Sequence, residues 1–184
     1  TMAQDESTYA SSDDSSDDSG DTGGAVLSGP KGSKVATDAA EYAYSKRKSK
    51  APFKEVYRLG GSGERGNISN PLHKKSGTVT LDCSSFIYWC FKEQGVTIPD
   101  TTYTQVASSK FKHMGKIPTS KMKIGDLVML GGSVTSPEHV MIYVGGGKIL
   151  GWNGPHAPEG ATLSTPSAWG KLTSEYEKTV LRYK

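Results

Sequence analysis

"TLDCSSFIYWCF", Thr80 to Phe91, is the stretch on which the reading of this chain turns. Asp82 stands where a helix N-cap belongs, since its short carboxylate can accept from a backbone N–H two or three residues on. Behind it Phe86, Ile87, Cys90 and Phe91 recur every three to four residues, the spacing of one buried helical face. The pattern predicts a helix from about Cys83 to Gln94, stopped at Gly95. Two cysteines ride on it, one at its first position and one in its apolar face. At a rise of about 1.5 Å per residue their Cα atoms would lie about 10 Å apart, beyond disulfide reach. With no third cysteine in the chain, both are expected as free thiols.

Their positions assign them different work. A helix N-terminus presents unpaired N–H groups and the positive end of the backbone dipole, which favour a thiolate over a thiol. Cys83 is therefore the candidate nucleophile, expected to titrate below the ordinary range, and its own N–H is a candidate donor to a tetrahedral oxyanion. Cys90 reads as a small core residue.

Working outward, "KVATDAAEYAYSKRKSK" (34–50) places Val35, Ala39, Tyr42 and Ala43 at helical spacing and ends in bases that suit a helix C-terminus. The next stretch, "APFKEVYRLGGSGERGNISNP" (51–71), breaks into a short extended piece and a Gly-rich loop. That loop lacks the GKS or GKT of a phosphate cradle. A short helix is expected around Thr102 to Ser108. From Ile124 the period changes to two, in "GDLVMLGG", "EHVMIYVGG", "KILGWN" and "KTVLRYK", with "YVGGGKIL" as a hairpin. Helices followed by an antiparallel sheet is the α+β pattern.

A net charge of +3 conceals a division. Residues 1–30 hold seven acids and no Lys or Arg, which leaves 22 bases against 12 acids in the remainder. Residues 1–33, rich in Ser, Asp and Gly, are expected to be a flexible linker, and residues 34–184 a single domain. The run "SDDSSDDSGD" lacks the spacing and closing glutamate of a calcium loop. No nucleic-acid-binding motif accompanies the scattered bases. No apolar run approaches the roughly 18 residues of a membrane span, so no membrane partner is expected. Four histidines and no paired CxxC argue against a metal site, and no cofactor is expected.

A thiol nucleophile needs a base. His139 leads "HVMIYVG", a strand-like run in which His139, Met141 and Tyr143 share one face. At the head of a strand set against a helix N-terminus, it is placed to take the thiol proton and return it to a leaving amine.

With these residues in hand, "VYRLGG", "DCSSF", "GVTIPDTTYTQ", "IGDLVML" and "EHVMIYVGGGKIL", in that order, resemble the NlpC-type peptidoglycan cysteine peptidases. These are small papain-like domains of bacterial and phage cell-wall hydrolases. The resemblance runs over residues 34–184. It implies a papain-like α+β fold with N-terminal helices packed on a C-terminal antiparallel sheet. It also implies Cys83 as nucleophile, His139 as general base and Tyr57 as a substrate-binding side chain near the scissile carbonyl. Gln105 and Asp126 match motif positions and are read as structural.

The chain departs from the family pattern in three places. Ser85 replaces a glycine. The stretch "SGERGNISNPLHKKSGTV" is long and is expected to form an extra loop over the cleft. Gly151 stands where many members carry a histidine that orients the first. Two residues are available to replace it. Asn153 lies on the face of Gly151 if the strand continues, and it can accept from an imidazole N–H; His156 lies in the Pro- and Gly-rich loop beyond.

The resemblance implies hydrolysis of a stem-peptide amide in peptidoglycan, after γ-D-glutamate, through a cysteine acyl-enzyme. The alternatives are an N-acetylmuramoyl-L-alanine amidase, a cross-bridge endopeptidase, or a catalytically silent wall-binding module. It also implies an extracellular site of action at the wall or on a virion tail, with other domains or tail proteins joined through the linker.

Overall fold

The computed structural model describes residues 25–61, 68–154 and 159–184. The chain opens with α1 (Lys34–Ser45), whose N-cap Ser33 accepts from the Ala36 N–H, and continues into β1 (Lys54–Tyr57). β2 (Thr78–Leu81) leads directly into α2 (Cys83–Lys92), followed by the short α3 (Thr102–Val106). Then come β3 (Phe111–Gly115), β4 (Leu127–Leu130), β5 (His139–Tyr143), β6 (Ile149–Asn153) and β7 (Gly160–Ser164). α4 (Pro166–Thr173) and β8 (Glu177–Tyr183) complete it. The helix of the opening stretch starts where its cap residue predicts and ends two residues early. Gly95, at φ 81°, takes the left-handed turn beyond it.

β3 to β8 form one six-stranded antiparallel sheet in the order β3-β8-β4-β5-β6-β7. This is the expected α+β arrangement. β1 and β2 stand outside it as a separate parallel pair, which the period-two pattern of the C-terminal half did not show.

Both faces of the sheet are covered, so β4 to β7 are buried at every position. Val140, Ile142, Leu150 and Trp152 turn toward α1 and α2, where Phe86 meets Trp152 with ring centroids 5.3 Å apart. Met141, Tyr143 and Ile149 turn the other way, toward Trp169 of α4. Asp126 at the head of β4 is structural as expected: both its carboxylate oxygens accept from the Arg182 guanidinium of β8, at 2.9 and 2.8 Å.

Two expectations need correction. The packed body begins before residue 34: Leu27 N–H donates to Val144 O at 2.6 Å and Gly32 N–H to Ile124 O at 3.0 Å, with Val26 and Leu27 against the core. Val26 and Leu27 supply apolar surface that the acidic tract before them lacks, so only residues 1–24, outside the described region, keep the linker reading. Where it is described, the insertion after β1 also departs from the expected cleft loop. Its described part, from Ile68 on, buries Leu72, while Asn70 Nδ2 donates to Tyr42 Oη and Glu93 Oε1 and His73 Nε2 pairs with Glu93. That part is fastened at the C-terminal end of α2, about 15 Å from Cys83 by helix rise. Residues 62–67 lie outside the described region.

Candidate active site

Asp82 caps α2 as its sequence position predicts. Its Oδ1 accepts from the Ser85 N–H, and the Ser85 hydroxyl accepts from the Asp82 N–H, each at 2.9 Å. Ser85 thus does what the glycine it replaces could not: it closes a reciprocal capping box. Gln105 Nε2 donates to Ser84 O at 3.2 Å and to Pro99 O at 3.0 Å, so this buried amide braces the first turn of α2. Cys83, the first helical residue, is 5% exposed.

The sulfur of Cys83 reaches the head of β5, where the Val140 and Ser84 N–H groups face it. His139, also 5% exposed, opens β5 next to Val140, on the strand face that Trp169 covers. Its Nε2–H donates to Asn153 Oδ1 at 2.9 Å. Asn153 Nδ2 in turn donates to the Thr162 hydroxyl at 2.7 Å, so the amide bridges β5 and β7. With its proton on Nε2, the ring keeps Nδ1 as its basic nitrogen.

Asn153 is thus a hydrogen-bond partner of His139, and Gly151 leaves it room. A Cβ at residue 151 would lie 2.7 Å from Met141 Cγ and 3.3 Å from Asn153 Oδ1. The bare backbone at 151 leaves the Asn153 amide its space beside His139. His156, the other candidate, lies outside the described residues.

Electrostatics reverse the expectation for the thiol. Burial pushes Cys83 up to about 12, the Asp82 carboxylate adds to this, and the Val140 and Ser84 N–H groups only partly oppose it. Burial likewise holds His139 down to about 4, against the Asn153 hydrogen bond and the Asp82 charge. The helix terminus alone predicts a thiolate, but desolvation in this closed site outweighs it. Burial thus favours the uncharged form of both groups.

Tyr57 is set by register. The pairing Tyr57↔Leu81 places it two residues from Cys83 on the neighbouring strand. Burial, followed by the charges of Cys83, Asp82 and Glu175, holds its phenol well above the usual range, so its hydroxyl keeps its proton. Three consecutive residues tie β1 to the main sheet: Glu55 Oε1 accepts from Ala161 N–H at 2.7 Å, Val56 O from Trp152 Nε1 at 2.9 Å, and Glu159 Oε2 from Tyr57 N–H at 2.9 Å. Gly154 packs so closely that a Cβ there would meet Tyr57 Cβ at 2.6 Å.

Two contributors escaped the sequence. Thr162 joins the site because it pairs with Gly151 across β6 and β7, and Trp169 because its indole stacks on His139 with centroids 5.0 Å apart at 14°. Neither carries a local signal; the partner strand or helix must be known first. Among the described residues no cluster of His, Cys, Asp or Glu is placed to hold a metal ion, and no helix is long and apolar enough to cross a membrane.

The model of the NlpC/P60 family matches residues 54–175. The bifunctional muramidase/DL-endopeptidase CwlT of Bacillus subtilis is 36% identical over 103 residues, 55% of this chain and 28% of its own. The γ-D-glutamyl-L-lysine dipeptidyl-peptidase of the same organism is 36% identical over 84 residues, 43% of this chain and 24% of its own. This chain thus spans under a third of the length of either relative. The crystal structure of the NlpC/p60 domain of the peptidoglycan hydrolase SagA superposes with a TM-score of 0.51 at 20% identity, covering 78% of this chain and 97% of that one, a likeness of fold.

Proposed function

We propose that this chain, which belongs to the NlpC/P60 family, hydrolyses an amide in the stem peptide of bacterial peptidoglycan through an acyl-enzyme on Cys83. The observation that carries this reading is the His139–Asn153 hydrogen bond of 2.9 Å at the strand end where the Cys83 sulfur sits. An imidazole held by its Nε2–H presents Nδ1 to a thiol.

The reaction proceeds by acyl transfer. Cys83 Sγ attacks the scissile carbonyl as its proton passes to His139 Nδ1. The Cys83 N–H has no helical carbonyl of its own and is the natural donor to the oxyanion. As the tetrahedral intermediate collapses, the C–N bond breaks and His139 returns the proton to the leaving amine. Water, deprotonated by His139, then attacks the thioester and releases the acid and the free thiol. Because burial favours the uncharged form of both groups, the proton moves within the encounter rather than in advance of it. The protonated Tyr57 hydroxyl, beside Cys83, is a donor for the substrate carbonyl region.

Cleavage after γ-D-glutamate is the favoured bond, supported by a DL-endopeptidase and a γ-D-glutamyl-L-lysine dipeptidyl-peptidase among the relatives. Incubation of purified walls with the protein, followed by mass analysis of released fragments, tests both statements. New amino groups on the residue after D-glutamate are expected. Free L-alanine termini or cut cross-bridges would transfer the activity to the amidase or cross-bridge alternative, and no release would make the domain a wall-binding module. Action at the cell wall, on a secreted or virion-borne protein, follows from the same reading. The acidic tract at residues 1–24 would join the domain to its neighbours.

A further inference from the structure

One hydrogen bond does not orient an imidazole. The terminal torsion of histidine is broad, and a bond to Nε2 holds one edge while leaving the plane of the ring to be set by something else. In this site the plane is set by an indole. Trp169 lies over His139 with ring centroids 5.0 Å apart and an angle of 14° between planes, a parallel stack rather than an edge contact.

The indole is itself held from several sides. It is 3% exposed, packed with Met141 and the apolar residues beneath α4. Its Nε1–H donates to Glu175 Oε1 at 3.1 Å. Glu175 comes back to it because Ser174 ends α4 in the left-handed region at φ 62°, unusual for a residue other than glycine, and because the Thr173 hydroxyl takes the Glu175 N–H at 3.2 Å. A turn that folds a carboxylate back onto the tryptophan four residues before the helix end fixes the indole in its plane.

We propose that Trp169, anchored by Glu175, is a positioning residue: its face sets the plane of the His139 ring and stabilises the imidazolium that forms when Cys83 gives up its proton. The proposal rests on His139 being the base of the reaction above. An imidazolium over an indole face gains a cation–π attraction that a neutral ring lacks, and the gain is larger in a desolvated site. The other groups near His139 are Asn153 on β6, Asp82 and Cys83 at the start of α2, and Glu138 beside it in the chain. Asn153 and Asp82 also favour the charged ring, which nonetheless stays neutral at rest. Trp169 therefore contributes where the barrier lies, in the charged state, and it does so from a helix that follows β7 in the chain.

The test follows the His139 ring by NMR during pH titration, in parallel with turnover of soluble muropeptides. In Trp169→Leu the ring-current displacement of the His139 signals should vanish, its titration midpoint should fall by about one pH unit, and kcat should drop about 10-fold or more with KM within two-fold. Trp169→Phe keeps a ring face and should restore the midpoint to within about 0.3 unit and kcat to within about 3-fold. If Trp169→Leu does not fold, Glu175→Ala against Glu175→Gln decides the matter. Alanine frees the indole and should broaden the His139 signals, while glutamine keeps an acceptor and should leave them sharp. A tryptophan that merely fills space would lower thermal stability without moving the His139 midpoint, and that result would overturn the proposal. Absence of wall hydrolysis by the unaltered protein would remove the functional reading but leave the His139 titration to report on the indole.

Discussion

The two cysteines of α2 share a helix, a redox state and almost the same burial, and they differ in everything that matters to chemistry. Cys83 is 5% exposed and Cys90 is 0% exposed, and burial raises both thiols above the ordinary range. Neither exposure nor acidity separates them. What separates them is company: the Cys83 sulfur has two backbone N–H groups and the head of β5 beside it, where His139 is fastened by Asn153. Cys90 lies among core apolar side chains, with Glu93 and Lys46 acting from a distance. On the proposed reading, a nucleophilic thiol in this fold needs a base delivered from another element, and a helix position supplies only the opportunity.

The sharpest break in this comparison is deletion. Cys83→Ala should lower wall hydrolysis by about 10³-fold or more while circular dichroism and melting stay close to those of the parent, because removing one member of a nucleophile–base unit disables the whole unit. Comparable loss in folded Cys90→Ala would reassign the nucleophile.

The next effect is in pH. A thiol raised to about 12 has a thiolate fraction that grows tenfold per pH unit, so iodoacetamide alkylation of Cys83 should rise about 100-fold from pH 7 to 9 without a plateau. A plateau reached below pH 8 would mean that the helix terminus and His139 prevail over burial. Cys90 should stay unmodified throughout in the folded protein.

A smaller effect is expected at the orienting residue. Asn153→Ala should lower kcat about 10-fold, and it should also destabilise the fold by about 1–3 kcal/mol because the His139 N–H and the Thr162 hydroxyl lose a buried partner. Thr162→Val, which leaves the amide in place but free to turn, should cost less in kcat. Equal rates for Asn153→Ala and the parent would reduce the site to a Cys–His dyad.

Cys90→Ala carries the opposite signature. Denaturant melts should show about 1–2 kcal/mol of lost stability from the small cavity, with kcat nearly unchanged. The smallest effect belongs to the N-terminus. Removal of residues 1–24 should leave the melting temperature within about 1 °C, whereas removal through residue 33 should lower it measurably, because Leu27 and Gly32 are hydrogen-bonded to Val144 and Ile124.

Much of this molecule is written locally. The Asp82 cap, the apolar spacing of α2, the left-handed glycine after it and the period-two runs of β4 to β6 are decided by a few neighbouring side chains, so they can be read from one sequence. Strand alternation likewise places Asn153 on the face of Gly151, where its amide meets the His139 ring. Cross-chain geometry decided the rest. The parallel pairing of β1 with β2 that brings Tyr57 to Cys83, the Thr162 hydroxyl behind Asn153 and the indole over His139 join residues that are far apart in sequence. Pairwise contacts of that kind leave no periodic trace along the chain. The thiol shows the division most plainly: helix position predicts a lowered pKa from local dipoles, while the closed site raises it, because desolvation depends on every element packed around the sulfur and no single stretch of sequence encodes it.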